Sequence, residues 1–291
     1  FGTPIERLAH MNQPAIDLYK DHGIDMKKEY LEIAVCNQHN NGGLAGDIWW
    51  ESNLKHFFPV GEVNGSHGVY RPGGSALNSG QVGSTRAAEY ISACYREEPM
   101  TVEEFVAMAE EQIIKKIEMG RRFLANMSQN SNVSEIRRKI GERMDRDGGI
   151  IRSLESAYRS AKEARDDLKT IVEKTRISSI KELPYAYQNY DLLITQYVYL
   201  SAIANYIEKG GKSRGSYLVY DSNGELPLPG LPEVFRFSLD EGRFSKTIQE
   251  VIYEDGECHF EWVPVRPIPK GDDWFENVWN DYRKGAIFKK E

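Results

Sequence analysis

The segment from residue 60 to residue 89 limits the fold more than any other part of this 291-residue chain. It reads VGEVNGSHGVYRPGGSALNSGQVGSTRAAE and follows the residues FFP at 57–59. Residues 57–60 are an apolar run that predicts a short strand, and the rest of the segment predicts a loop with several glycines and then a helix. Open α/β sheets bind ligands at the carboxyl ends of their strands, so this order of elements favours a ligand site. The alternative interpretation is an ordinary connection in which the charged side chains are solvated.

The residue types in this segment suit a nucleotide cofactor. Glu62 follows the predicted strand, where a carboxylate can accept hydrogen bonds from ribose hydroxyls. The helix start after Gly74 would direct backbone N–H groups outward, toward electron-rich or anionic ligand atoms. Arg71 has no acidic neighbour close in sequence, so its guanidinium can take a carboxylate or phosphate. The candidate cofactor-binding residues are Gly61, Glu62, Gly74, Ser75, Ala76 and Leu77.

These residues resemble the FAD-binding flavoprotein subunits of fumarate reductase and succinate dehydrogenase, with L-aspartate oxidase close by. In that family a Gly-Glu pair precedes His-Gly-Ala-Asn-Arg, then Gly-Gly-Asn-Ser-Leu and a helix ending in Gly-Arg-Ala-Ala. The matching segments here are residues 61–62, 67–71, 73–77 and 85–88. The resemblance implies that Glu62 binds the ribose of FAD, that the backbone at residues 75–77 contacts the flavin ring, and that Arg71 binds a substrate carboxylate.

The segment departs from the family pattern at several positions. Tyr70 stands where the family has Asn, Pro72 where it has Leu, and Ser75 and Ala76 where it has Asn-Ser. These differences are compatible with FAD and leave the identity of the substrate open.

Three other segments extend the resemblance along the chain. HNNGG at residues 39–43 resembles a His-Tyr-Thr-Met-Gly-Gly segment whose His contacts the dicarboxylate, but it is one residue shorter, so Gln38 competes with His39 for that position. Residues 135–152 resemble the start of the family's helical domain, and KSRGS at residues 212–216 resembles Ser-Arg-Gly-Ala-His after its last bundle helix. The candidate catalytic residues are therefore Arg71 and His39.

The Gly-x-Gly-x-x-Gly turn that holds the FAD pyrophosphate in the family does not occur in this sequence. The chain therefore resembles the carboxyl-terminal portion of a longer flavoprotein, and retention of FAD by this chain alone stays open. One hypothesis is an FAD-dependent oxidoreductase that transfers hydride between flavin and a small carboxylate; the resemblance implies that its partners include an iron–sulfur electron-transfer subunit. The other is a catalytically silent module that docks partner subunits or the missing FAD-binding half.

Composition and cysteine usage limit the functional classes and the cellular locations that this chain could have. The net charge of −7, without a basic run, argues against nucleic-acid binding. No apolar stretch approaches the roughly 20 residues that span a bilayer. Cys36, Cys94 and Cys258 form no paired motif, which favours a reducing compartment and argues against a metal site. We expect a cytoplasmic protein, or one held peripherally at the inner face of the membrane, while export of the longer protein stays open.

The chain divides into four predicted parts. Residues 1–30 would be a residual helix from a preceding capping domain, with a helix and turn over residues 14–30, and residues 31–99 the last segment of the FAD-binding domain. Helical periodicity predicts an antiparallel bundle over residues 100–210, with helices near 102–127, 133–145, 149–174 and 184–209. Residues 211–291 would be a β and loop tail with a hairpin turning at Asp255 and Gly256. The predicted fold class is thus α/β plus α. The tail tryptophans Trp262, Trp274 and Trp279 are expected to anchor it by burying large rings, and the alternative is a contact with a partner subunit.

Overall fold

A computed structural model describes residues 2–32, 41–68, 71, 73–215 and 217–289. Within these ranges the helices are α1 Pro4–Asp21, α2 Ser75–Cys94, α3 Val102–Ala125, α4 Val133–Gly148, α5 Leu154–Lys174, α6 Leu183–Glu208 and α7 Trp274–Arg283. The strands are β1 Ile151–Arg152, β2 Leu218–Glu225, β3 Thr247–Glu254 and β4 Glu257–Pro264. Along the chain, α1 is followed by loops and α2, then by the bundle helices α3 to α6, and then by a β and loop tail that contains α7.

The first helix, α1, lies within residues 1–30, where a residual helix was predicted, but it covers only Pro4–Asp21. Thr3 caps it, and Glu6 completes a capping box by accepting from the Thr3 backbone N–H. Asn12 leaves the helical region two residues before Pro14, because proline disfavours helical backbone before it and removes a helix hydrogen bond. The helix therefore consists of two short pieces joined at a kink, and it ends at Asp21 rather than continuing toward residue 30.

The strand expected over residues 57–60 is wrong. These residues belong to no strand, and the short 3₁₀ turn Gly61–Val63 follows them. Pro59 lacks an N–H for a ladder, and Phe57 instead bonds locally, donating to the carbonyl of Leu54 and accepting from the N–H of Ser52. An apolar run becomes a strand only beside another strand, and residues 57–60 have none beside them in the described ranges.

The four bundle helices α3 to α6 agree with the predicted ones, although α5 begins five residues later than expected. Thr101 and Glu104 form a capping box at the start of α3. The main core joins α3, α4, α5 and α6 around Phe123, Ile171 and Leu193, which are almost fully buried. Burial of such side chains contributes about 1.5–3 kcal/mol each, so this core is the principal source of stability here.

The predicted hairpin is confirmed. β3 and β4 pair antiparallel with Glu254 opposite Glu257, and both turn residues, Asp255 and Gly256, have positive φ. Tyr253 and Cys258 of the hairpin pack against a second core cluster on α5 and α6. The hairpin therefore closes on the bundle.

The tail tryptophans behave differently from one another. Trp262 donates its indole N–H to Asn205 of α6 at 3.3 Å and stacks on Phe244, as expected of an anchor. Trp274 and Trp279 are half exposed on α7, a helix that the sequence interpretation did not include, so for these two the expectation of burial is wrong. Phe288, just beyond α7, packs instead, stacking on Trp49 at 5.3 Å beside α2.

No helix in the described ranges combines the length and apolar character needed to cross a bilayer.

Candidate functional site

Two glycine-rich segments that are separate in sequence lie side by side. The N–H of Leu44 donates to the carbonyl of Val63 at 2.8 Å, and the N–H of Gly65 donates to the carbonyl of Leu44 at 3.1 Å. A Cβ atom on Gly43 would lie 2.3 Å from the Val63 carbonyl oxygen, so only glycine allows this approach. The structure thus places the end of the 39–43 motif against the loop that follows Glu62. His39 and its competitor Gln38 lie outside the described residues.

Arg71 connects the same two segments. Its Nη1 atom donates to the side-chain oxygen of Asn41 at 2.8 Å and to the carbonyl of Gly68 at 2.6 Å. Both acceptors are neutral, and among the described residues no carboxylate forms an ion pair with Arg71. The guanidinium is therefore held in place by neutral groups with its charge available to an anion.

The start of α2 has the open geometry that the sequence predicted. Gly74, at the N-cap position, has φ of +80° and gives the helix no side-chain cap. A Cβ atom on Gly73 or Gly74 would meet nothing within 4 Å, so the backbone there is approachable. The first backbone bond of the helix runs from the N–H of Asn78 to the Gly74 carbonyl at 3.0 Å, and Leu77 is 77% exposed. The positive end of the helix dipole therefore lies at an accessible surface.

Glu62 lies on the turn Gly61–Val63 rather than at a strand end, and its side chain is exposed. The turn packs on α2, because a Cβ atom on Gly80 would lie 3.6 Å from the Gly61 Cα. The structure therefore brings the Glu62 turn, Arg71 and the start of α2 into one region.

Three residues of this region were not among the candidates drawn from the sequence. Asn41 holds Arg71, as described above. Tyr199 of α6 lies against the 41–43 segment, since a Cβ atom on Gly42 would sit 3.7 Å from its ring. His67 is only 5% exposed, and among the residues that the structure describes neither of its ring nitrogens has a hydrogen-bond partner. Asn41 lies in the 39–43 motif and His67 in the 67–71 segment, so the sequence motifs already pointed to both positions.

The two downstream motifs also meet. β1, at the end of the 135–152 segment, pairs in parallel with β2, which follows KSRGS, so that Ile151 lies opposite Leu218. Arg152 donates from Nε to the carbonyl of Gly149 at 2.8 Å and stands over the Tyr217 ring at 4.3 Å. Burial lowers the pKa of Arg152, and the ring face compensates part of the lost hydration. The 135–152 segment and the segment that begins with KSRGS, which are separate in sequence, are therefore neighbours in the structure.

Two surface cavities lie elsewhere among the described residues, with volumes of about 700 and 270 Å³. The larger lies over α3, α4 and the end of α5, and the smaller at the far end of α2, lined by Glu51 and Tyr95. Neither includes a predicted site residue.

Comparison with known proteins points in the same direction as the motifs. No family model matches the chain. Over 159 residues, 54% of this chain, it is 33% identical to one of the subunits of the fumarate reductase (CoM/CoB) of Methanothermobacter marburgensis. Over 203 residues, 67% of the chain, it is 26% identical to an uncharacterized FAD-dependent oxidoreductase of Methanocaldococcus jannaschii.

Over about half of its length, this chain is similar in sequence to a fumarate reductase subunit.

The fold agrees with that relationship. A point mutant of the E. coli quinol fumarate reductase FrdA superposes with a TM-score of 0.65 at 20% identity, covering 92% of this chain. A quinol-fumarate reductase with menaquinol molecules gives 0.66 at 21% identity. The chain spans 26% and 34% of the two curated relatives and 44% of each solved chain, and such partial coverage fits a carboxyl-terminal portion. The predicted fold class, a flavoprotein segment followed by a helical bundle and a β tail, is confirmed.

Proposed function

We propose that this chain forms the flavin-ring and substrate side of an FAD-dependent oxidoreductase that transfers hydride to or from a carbon–carbon bond of a small carboxylate. Arg71 carries the proposal, because its guanidinium is fixed by two neutral acceptors and has no carboxylate partner among the described residues. A buried or half-buried charge without a counter-ion is costly unless a ligand supplies one. A substrate carboxylate is the ligand that the fumarate reductase relationship suggests.

The residues around Arg71 suit FAD. Gly73 and Gly74 leave space at the uncapped start of α2, where backbone N–H groups and the helix dipole favour an electron-rich ring edge. The residues that would hold FAD are Glu62 for the ribose and the backbone at Ser75, Ala76 and Leu77 for the ring. When bound, FAD supplies the hydride chemistry.

The protein's own residues then have defined tasks. Arg71 would bind the carboxylate and orient the adjacent carbon–carbon bond, and its charge would stabilise negative charge that develops on the carboxylate during transfer. Asn41 would hold Arg71 in position. His39, which lies outside the described residues, is proposed as a second substrate contact on the resemblance alone.

The test is a pair of variants in the protein of full natural length. Arg71→Ala removes the charge, and Arg71→Lys keeps it without the two-pronged geometry. Charge-assisted hydrogen bonds contribute about 1.5–3 kcal/mol each, so we expect fumarate reduction by reduced viologen to fall roughly a hundredfold or more in Arg71→Ala. The flavin-to-protein ratio should not change.

The matched control is Arg121→Ala, since Arg121 is exposed on α3 and pairs only with Glu118 on its own helix. Loss of flavin from Arg71→Ala, or full activity without the guanidinium, would refute the assigned role.

A second role, in assembly, is favoured by the surface of α3. One stripe along this helix contains Val102, Phe105, Val106, Ile113 and Ile117, all exposed, with Val102 at 72% and Phe105 at 54%. The same stripe continues into Gly120 and Phe123, which are buried in the bundle. We propose that the exposed stretch is covered by the part of the flavoprotein that lies outside this sequence, because the solved relatives extend well beyond the 44% matched here.

Ile113→Lys in the full-length protein tests this assembly role, with Met108→Lys as the control. Both side chains are exposed, but Met108 lies about 140° around the helix from Ile113. If the stripe is covered, Ile113→Lys lowers the melting temperature and Met108→Lys does not. Equal behaviour of the two variants would show that the stripe faces solvent.

A further inference from the structure

Tyr199 belongs to a bundle helix but does not join the core of the bundle. It is half-buried on α6, between Tyr197 and Leu200, which both pack in the second core cluster with residues of α5. Successive residues of a helix are about 100° apart, so Tyr199 stands on a different side of α6 from Tyr197. None of the three core clusters found among the described residues includes Tyr199. Packing inside the bundle therefore does not account for this side chain.

The ring of Tyr199 lies against the segment that holds Arg71. A Cβ atom on Gly42 would lie 3.7 Å from a ring carbon of Tyr199 and 3.8 Å from its hydroxyl oxygen, which are van der Waals distances. Asn41, the residue before Gly42, accepts the hydrogen bond from Nη1 of Arg71 at 2.8 Å. The contact with α6 is thus one residue away from the side chain that holds the guanidinium.

The same segment is anchored at its other end by backbone hydrogen bonds. Leu44 donates to the carbonyl of Val63 and accepts from the N–H of Gly65. Between Asn41 and Leu44 stand two glycines, which have no side chain with which to pack and have more backbone freedom than any other residue. The anchor at Leu44 therefore fixes the position of Asn41 poorly, and the ring of Tyr199 lies where a second support is needed.

We propose that Tyr199 is a positioning residue, whose ring supports the two glycines and thereby keeps Asn41 and Arg71 in the geometry that binds a carboxylate. This inference rests on the proposed function and adds to it a support from the helical bundle. The ring acts on the ligand only through Asn41. Misplacing a binding group by about 1 Å can lower a rate by about a hundredfold, so loss of the support should be measurable at the site.

The experiment compares Tyr199→Ala and Tyr199→Phe with the wild type in the protein of full natural length. In the ligand-free protein, hydrogen exchange of the peptide that contains residues 41–46 should be roughly tenfold faster in Tyr199→Ala. In the FAD-loaded protein, the unreactive dicarboxylate malonate should bind roughly tenfold more weakly, as measured by its change of the flavin absorption band, at an unchanged FAD dissociation constant. Tyr199→Phe keeps the ring and should match the wild type in both measurements.

Tyr197→Ala is the matched control, because it removes a tyrosine of the same helix that packs in the core. This variant should lower the melting temperature and leave the exchange of residues 41–46 and the malonate affinity unchanged. A role that passes through Asn41 also predicts that the effects are not additive: in an Asn41→Ala background, Tyr199→Ala should weaken malonate no further.

The inference is overturned if Tyr199→Ala keeps the wild-type exchange and malonate affinity, or if it weakens FAD as much as malonate. It is also overturned if Tyr199→Phe binds malonate as weakly as Tyr199→Ala, which would make the hydroxyl the active group, or if the effects of Asn41→Ala and Tyr199→Ala add. A wild-type protein that binds no FAD overturns the proposed function instead. The exchange measurement needs no flavin, so the support by the ring is tested even then.

Discussion

Asn189 provides the clearest test of how the bundle is specified. The side chain has no exposed surface, lies on α6, and joins that helix to α4 through two hydrogen bonds. Its amide N–H donates to the carbonyl of Val133 at 2.9 Å, and its oxygen accepts from Nε of Arg137 at 2.6 Å. Gln196, seven residues later on the same helix, repeats the arrangement with Ile140 and an arginine of α4. The pattern fixes the register of the two helices.

The magnitude follows from the two bonds. A neutral hydrogen bond contributes about 1 kcal/mol, and one from a charged donor about 1.5–3 kcal/mol, so Asn189→Ala should lower the free energy of unfolding by roughly 3 kcal/mol. Gln188→Ala is the control, because Gln188 also accepts from Arg137, at 3.0 Å, but on the exposed side. A surface change of this kind should stay within about 0.5 kcal/mol.

Urea unfolding followed by circular dichroism at the helical band gives both values from the same protein preparation. We expect the midpoint of Asn189→Ala to fall clearly below that of Gln188→Ala at an unchanged slope. If the two variants unfold within about 0.5 kcal/mol of each other, which is the limit for a surface effect, the buried asparagine does not lock the helices and the reasoning fails.

The remaining predictions concern the site and its surroundings. Gly43→Ala should lower the free energy of unfolding by about 1–3 kcal/mol and reduce the flavin content, because the new Cβ would push away the Val63 carbonyl. Gly141→Ala is the control and should do neither, because a Cβ atom there would meet nothing within 4 Å. Calorimetry measures the stability of the two variants, and flavin release measures their flavin content. Burial, together with the hydrogen bond to Glu51, raises the pKa of Tyr95 to about 12, from an ordinary value near 10. Its contribution to stability should be complete below about pH 10 and disappear as the pH rises toward 12, so the loss of stability in that interval should be smaller in Tyr95→Phe; equal pH profiles would contradict the shift.

The parts of the fold that follow local rules could be predicted from the sequence. The capping box at Thr101 and the turn at Asp255 and Gly256 are set by residues within a few positions of one another, and both are present. The strand at residues 57–60 failed because a strand depends on a neighbour elsewhere in the chain, which periodicity does not reveal. Helix α7 was not predicted, because its aromatic residues were interpreted as buried anchors of the tail and not as part of a half-exposed helix.

The candidate site also combines local features with contacts between distant residues. The glycines, Arg71 and the start of α2 could be proposed from the sequence because their chemistry and spacing are local. That Asn41 holds Arg71, thirty residues away, and that Tyr199 of α6 reaches the same loop are long-range contacts that required the fold.

The most direct test of the account is the visible absorption spectrum of the purified full-length protein, with flavin released by denaturation and counted against protein. The account predicts a flavin band at about one FAD per protein molecule, whose shape changes when malonate is added to the wild type and not to Arg71→Ala. A colourless protein that takes up no added FAD, or a flavin band that responds to malonate equally in both proteins, would contradict it.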